Sequence, residues 1–126
     1  MNLDSVREYC LSLPHATENL QWDALLFRVA GKIFASLPLE PDSSSGRVTF
    51  KATPERCAEL LEIEGVQRAP YVGRYNWLSL ERFDVLRDDE IRELLRESYE
   101  LVHAKLPKKA RESLEQKKVK RARRAA

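Results

Sequence analysis

The stretch that decides the fold is Phe27-Arg28-Val29-Ala30-Gly31-Lys32-Ile33-Phe34-Ala35. Apolar residues lie on both sides of its glycine, which permits a tight change of chain direction. This pattern predicts two strands between Trp22 and Leu37, joined as a hairpin. Further along, Val48 and Phe50 alternate with polar residues. They predict a third strand with one face toward solvent.

Amphipathic helices are predicted in three places. Residues 4–13 carry apolar side chains at helical spacing, and either Asn2 or Asp4 is a suitable N-cap. Thr53, followed by a proline, is typical of the start of a second helix. Asp88-Asp89-Glu90 places negative charge where a third helix begins. The apolar stripe of this third helix consists of Ile91, Leu94, Leu95, Tyr99, Val102 and Leu106.

One further strand is predicted over Trp77-Leu78-Ser79-Leu80-Glu81, in which Trp77 faces away from the two leucines. The predicted order is therefore helix, three strands, helix, strand, helix. Because each helix must bury its apolar stripe, we predict an α+β fold: a two-layer α/β sandwich with a largely antiparallel sheet and the helices on one face. The chain length of 126 residues suits a single domain, which we place at residues 1–106.

Composition argues against several classes of protein. No apolar run approaches the roughly 20 residues that cross a bilayer, and the first residues have charges of both signs instead of an apolar signal segment. We therefore expect a cytoplasmic protein without membrane spans. Cys10 and Cys57 belong to no metal or disulfide motif and are predicted to be buried thiols.

Charge is distributed unevenly along the chain. Residues 1–106 carry 13 Lys and Arg against 18 Asp and Glu, whereas residues 107–126 carry 9 against 2. The net charge of +2 thus combines an acidic body with a strongly basic C-terminal helix or flexible tail. Such a tail attracts nucleic acid through counterion release, although it also suits the body itself or acidic proteins. The tail residues predicted to contact nucleic acid are Lys117, Lys118, Lys120, Arg121, Arg123 and Arg124.

A second candidate contact surface is the segment from Arg68 to Trp77. Its arginines are suited to phosphates, and its aromatic rings are suited to stacking on bases. The alternative is that the rings cover an edge of the core while the arginine stems lie over them. The predicted nucleic-acid-binding residues of this segment are Arg68, Tyr71, Arg74, Tyr75, Asn76 and Trp77.

Catalytic and metal-binding patterns are not found. The histidines His15 and His103 have no partner at metal-ligand spacing, and the scattered glycines form neither a phosphate loop nor a dinucleotide fingerprint. The acidic cluster at Asp88 is explained by the dipole of the helix that it begins. We therefore expect no metal, no cofactor and no enzymatic activity.

Four pieces of the chain, residues 27–35, 50–55, 70–77 and 98–102, form a combination that is familiar as a set. In this order they resemble the MmcQ/YjbR family of small bacterial proteins. The resemblance covers residues 1 to about 112 and implies a fold like that of bacterial frataxin, called CyaY-like. It also implies DNA binding by a double-wing arrangement, with Gly31-Lys32 and the segment Arg74–Trp77 at the matching positions. Asn76 departs from the family, which often has a basic residue or histidine there.

The leading hypothesis is a monomeric, non-enzymatic protein that binds DNA or other nucleic acid with weak sequence preference. Lys32, the Arg68–Trp77 segment and the basic tail would form the contact surface. The alternative is a module that binds a protein or a small ligand on the sheet face bearing Tyr75 and Trp77.

Overall fold

The computed structural model of the protein describes residues 1–39, 47–69 and 76–114. Three helices are α1 (Leu3–Ser12), α2 (Pro54–Leu60) and α3 (Asp88–Ala104), and a further helical segment covers residues 108–114. The strands are β1 (Ala16–Gln21), β2 (Ala24–Val29), β3 (Lys32–Pro38), β4 (Val48–Lys51), β5 (Val66–Arg68) and β6 (Trp77–Leu80).

The six strands form one sheet in the order β1-β2-β3-β4-β6-β5, and every neighbouring pair is antiparallel. Helices α1 and α3 pack against this sheet and against each other. The structure thus confirms the predicted α+β sandwich with an antiparallel sheet.

The start of each helix agrees with the chemistry of its first residues. Asn2 forms a capping box with Ser5 at the start of α1, and the Thr53 side chain accepts a hydrogen bond from the Arg56 amide at the start of α2. The predicted acidic residues occupy the first turn of α3. Negative charge at this position stabilises the positive end of the helix dipole.

Two strands were not predicted, β1 and β5. β1 is a largely exposed edge strand, and the turn that joins it to β2 consists of Trp22 and Asp23, both with positive φ. This turn lacks the glycine that usually reveals a two-residue hairpin. The predicted hairpin turn at Ala30-Gly31 does have that glycine, and it joins β2 to β3 as expected. β5 has only three residues, too few to show an alternating pattern.

The hydrophobic core lies between the sheet and the helices. α3 contributes its predicted stripe, and both cysteines are buried, as predicted. Burial raises the pKa of the Cys10 thiol to about 12. The aromatic ring of Phe34 meets the ring of Tyr99 on α3 edge to face, with 5.4 Å between the ring centres.

A buried hydroxyl joins α3 to the middle of the sheet. Strands β3 and β4 pair only at Ala35–Phe50 and Ser36–Thr49. Just beyond these pairs, the Lys51 amide donates to Ser98 Oγ at 2.8 Å, and that hydroxyl donates to the Phe34 carbonyl at 2.6 Å. Ser98 is fully buried. Its side chain therefore replaces a direct bond between the two strands and fixes the position of the Lys51 backbone.

Substitution of Ser98 tests this bridge. Ser98→Ala leaves a buried amide and a buried carbonyl without partners, so we expect a loss of about 2–3 kcal/mol in the free energy of unfolding. Urea denaturation followed by circular dichroism measures the loss. Ser36→Ala on β3 is the control and should change stability by less than about 0.5 kcal/mol. Equal stability of the Ser98→Ala variant and the wild type would contradict this role.

Candidate functional site

The structure describes four of the predicted nucleic-acid-binding residues: Lys32, Arg68, Asn76 and Trp77. The other nine lie outside the described residues, so their predicted contacts stay predictions. These nine are Tyr71, Arg74, Tyr75, Lys117, Lys118, Lys120, Arg121, Arg123 and Arg124.

Lys32 and Trp77 come together in one cavity, although 45 positions separate them in the sequence. The cavity has a volume of about 220 Å³. Lys51, at the end of β4, lies directly opposite Trp77 in the β4–β6 pairing. Lys105, just after the last residue of α3, is the third lysine of the lining. Apolar surface comes from Ile33, Val102 and Leu106. We call this the lysine cavity.

Two of its ammonium groups are close neighbours. The Lys105 side chain lies close enough to that of Lys51 to affect its protonation. Partial burial of Lys51, together with the adjacent Lys105, lowers the pKa of the Lys51 amine to about 8. Burial and a like charge both disfavour the protonated amine, and so the two causes act in the same direction.

Carboxylates do not balance this charge within the described part of the chain. None of the cavity's lining residues is acidic, and Lys32, Lys51 and Lys105 form no ion pair with a described Asp or Glu. A second cavity of about 350 Å³ provides the contrast, because Arg56 and Glu97 both line it and lie 3.7 Å apart. The lysine cavity is therefore an electropositive recess that favours an anion.

Arg68 and Asn76 are not among the residues that line the lysine cavity. Arg68 is exposed at the end of the edge strand β5, on the side of β6 away from β4. Asn76 precedes Trp77 and has φ of 65°, in the left-handed region that asparagine tolerates better than most residues. Its carbonyl accepts a hydrogen bond from the Ala52 amide at 3.0 Å. The structure thus shows Asn76 as a turn residue that sets the start of β6.

His15 lines a separate cavity of about 460 Å³. His15 has positive φ and lies between α1 and β1. The other histidine, His103, stacks on Tyr99 near the end of α3. Among the described residues, no group of three His, Cys, Asp or Glu side chains is placed to hold a metal ion. No described helix is long and apolar enough to cross a bilayer.

Comparison with known proteins identifies the family. The YjbR family model matches residues 11–101, which is well over half of the chain. The chain belongs to the YjbR family. A crystal structure of a protein from Pseudomonas syringae, a structural genomics target, superimposes with a TM-score of 0.64. It is 22% identical and covers 80% of this chain and 98% of its own. That likeness shows the shared fold, and no curated protein matches this YjbR chain.

Sequence reasoning missed two of the three lysines that line the lysine cavity in this YjbR-family protein. Lys51 and Lys105 look like ordinary surface lysines, one on the wet face of a strand and the other at a helix end. Their sequence positions gave no signal that they meet. A second missed feature is an exposed apolar patch around the β1–β2 turn, where Trp22 is 81% exposed beside Leu20 and Leu39.

The reactivity of the Lys51 amine tests the geometry of the cavity. At pH 8 about half of the Lys51 side chains are neutral. An ordinary lysine has a pKa of about 10.4, so more than 99% of its side chains are protonated at that pH. Limited acetylation followed by peptide mass spectrometry should therefore show Lys51 reacting at lower pH than a normal lysine. Lys105→Met should raise the pKa of Lys51 and shift its acetylation profile to higher pH.

Lys108→Met is the control for that measurement, because Lys108 lies outside the cavity, and it should leave the Lys51 profile unchanged. An acetylation midpoint for wild-type Lys51 in the ordinary lysine range would show that the two amines are not in contact.

Asn76 substitutions separate its backbone role from a contact made by its side chain. Asn76→Gly preserves the left-handed conformation and should leave thermal stability nearly unchanged. Asn76→Val forces a β-branched residue into that conformation and should cost about 1–3 kcal/mol. Thermal unfolding measures both variants. A Val variant as stable as the Gly variant would show that the positive φ is not required.

Proposed function

We propose that this YjbR-family protein binds nucleic acid without carrying out chemistry on it, as a cytoplasmic monomer with weak sequence preference. The observation that supports this function is the lysine cavity, in which three lysines and Trp77 line one recess. The family's expected DNA-contacting positions contribute Lys32 and Trp77 to it. An acidic side chain, which would repel phosphate, is missing from the described lining.

The residue types in the cavity fit the two parts of a nucleotide. Ammonium groups contact phosphate oxygens irrespective of base identity, which gives affinity with little sequence preference. An aromatic ring next to them stacks on any base. Trp77 is half-buried, so part of this residue is accessible to a ligand.

The basic tail is proposed to add a second, non-specific contribution. The body carries a net charge of −5 over residues 1–106, so its field as a whole repels a polyanion. The cavity acts only at short range, because the field of exposed charges is screened within about 8–10 Å at physiological ionic strength. The six predicted tail residues would raise the encounter rate, and the cavity would hold the bound strand.

Fluorescence anisotropy with labelled single-stranded and duplex DNA at two salt concentrations tests the proposal. Lys51→Met/Lys105→Met should weaken single-strand binding roughly tenfold and reduce the salt dependence of log K by about 1.4, since each phosphate contact contributes about 0.7. Replacing the six tail residues by serine in the full chain should lower affinity for all sequences equally.

Arg82→Met/Arg87→Met is the matched control, because it removes two positive charges from residues outside the lysine cavity. It should change affinity less than threefold. If the wild-type chain shows no salt-sensitive binding to either DNA, the nucleic-acid proposal fails. If the control weakens binding as much as the cavity variant does, net charge rather than the cavity carries the affinity.

A second candidate function is that of a pocket for a free small anion. The observation that favours it is the size of the lysine cavity, about 220 Å³, together with its apolar lining residues Ile33, Val102 and Leu106, which are buried or half-buried. Isothermal titration calorimetry with inorganic phosphate and with a nucleoside monophosphate distinguishes this candidate. Tight binding of either one, with no binding of oligonucleotides, would favour the small-anion function.

A further inference from the structure

The geometry of the lysine cavity points to a more specific ligand than a continuous strand. Resting on the nucleic-acid function proposed above, we propose that the cavity recognises the terminal phosphomonoester of a nucleotide, with Trp77 stacking on the adjoining base. The ligand class is therefore a phosphorylated strand end or a free mononucleotide. Both present the same chemistry.

Charge matching is the first argument. Lys32, Lys51 and Lys105 all line this one recess. A phosphodiester inside a strand carries one negative charge, whereas a terminal monoester carries about −1.5 to −2 at pH 7 and exposes three oxygens. Two adjacent ammonium groups compensate a dianion better than a monoanion. The additional monoester oxygen also gives each lysine an acceptor of its own.

Shape is the second argument. Residues on β3, β4 and β6 line the cavity, and Val102 of α3 and Leu106 beyond its end lie against them. The recess is open to solvent, so a ligand can reach it from outside. A terminal phosphate enters end-on with a single linkage leading out, and about 220 Å³ leaves room for the group and part of its ribose.

The position of Trp77 is the third argument. Trp77 on β6 is the pairing partner of Lys51 on the neighbouring strand β4. The Trp77 side chain therefore leaves the sheet directly beside that of Lys51. A base joined through ribose to a phosphate between the lysines would lie next to that ring. Because stacking tolerates every base, selectivity would fall on the phosphate and not on the sequence.

The test uses the full chain and three versions of one single-stranded 12-mer, with a 5′-phosphate, a 3′-phosphate or two hydroxyl ends, each labelled at an internal base. We expect one or both phosphorylated strands to bind at least tenfold more tightly than the hydroxyl strand at pH 7. This preference should fall below twofold in Lys51→Met/Lys105→Met and persist in Arg82→Met/Arg87→Met. Circular dichroism confirms that the variants are folded.

Each other outcome is decisive. Equal, salt-sensitive binding of all three strands overturns end recognition and leaves the nucleic-acid function standing. Failure of all three strands to bind refutes that function. In that case adenosine 5′-monophosphate is titrated against adenosine, and binding of the nucleotide alone retains phosphomonoester recognition with a free nucleotide as its source. Binding of neither overturns the inference, as does a preference for the phosphorylated strand that survives Lys51→Met/Lys105→Met.

Discussion

The Ser98 hydroxyl is the contact on which the arrangement of the candidate site depends. Strands β3 and β4 share only two residue pairs, and beyond them the hydroxyl bonds to one backbone group of each strand. These two hydrogen bonds fix α3 to the sheet at the Lys51 backbone. The same three elements line the lysine cavity, to which β3 contributes Lys32, β4 contributes Lys51 and α3 contributes Val102. The Ser98 hydroxyl thus connects the backbones of the two strands that carry Lys32 and Lys51.

The local charge of the cavity differs in sign from the charge of the body around it. Residues 1–106 are net acidic, yet none of the described residues that line the cavity is acidic, and some carboxylates are paired elsewhere, for example Glu18 with Arg7 and Glu97 with Arg56. Screening by salt makes the neighbouring pair of ammonium groups more important to a bound anion than the distant surplus of carboxylates. For this reason net charge is a poor guide to what the fold binds, and the position of each cation relative to its nearest acid is a better one.

Sequence reasoning predicted the parts of the fold that depend on local pattern. The α3 stripe, the Thr53 cap and the hairpin at Gly31 follow from spacing and residue type, and all three are confirmed. β1 was missed because an exposed edge strand needs no apolar alternation and its turn at Trp22 has no glycine. The candidate site was only half predictable. Lys32 and Trp77 stand in recognisable segments, but 54 positions separate Lys51 from Lys105, and only the packing of α3 on the sheet brings them together.

The apposed lysines have a thermodynamic consequence for the free protein. The pKa of Lys51 is lower in the folded chain, about 8, than in an unfolded chain, where it has the ordinary lysine value. Protonation of Lys51 therefore favours unfolding. This destabilisation is fully present below pH 8 and is lost as the pH rises through the ordinary lysine range. A neighbouring carboxylate would remove it, but none is found among the described lining residues. A bound anion would remove it equally well, and the free energy recovered in the fold would then appear as affinity. Burial of Lys51 and the nearby Lys105 thus make the protonated, empty cavity unfavourable to the fold, and a bound anion would offset part of that cost.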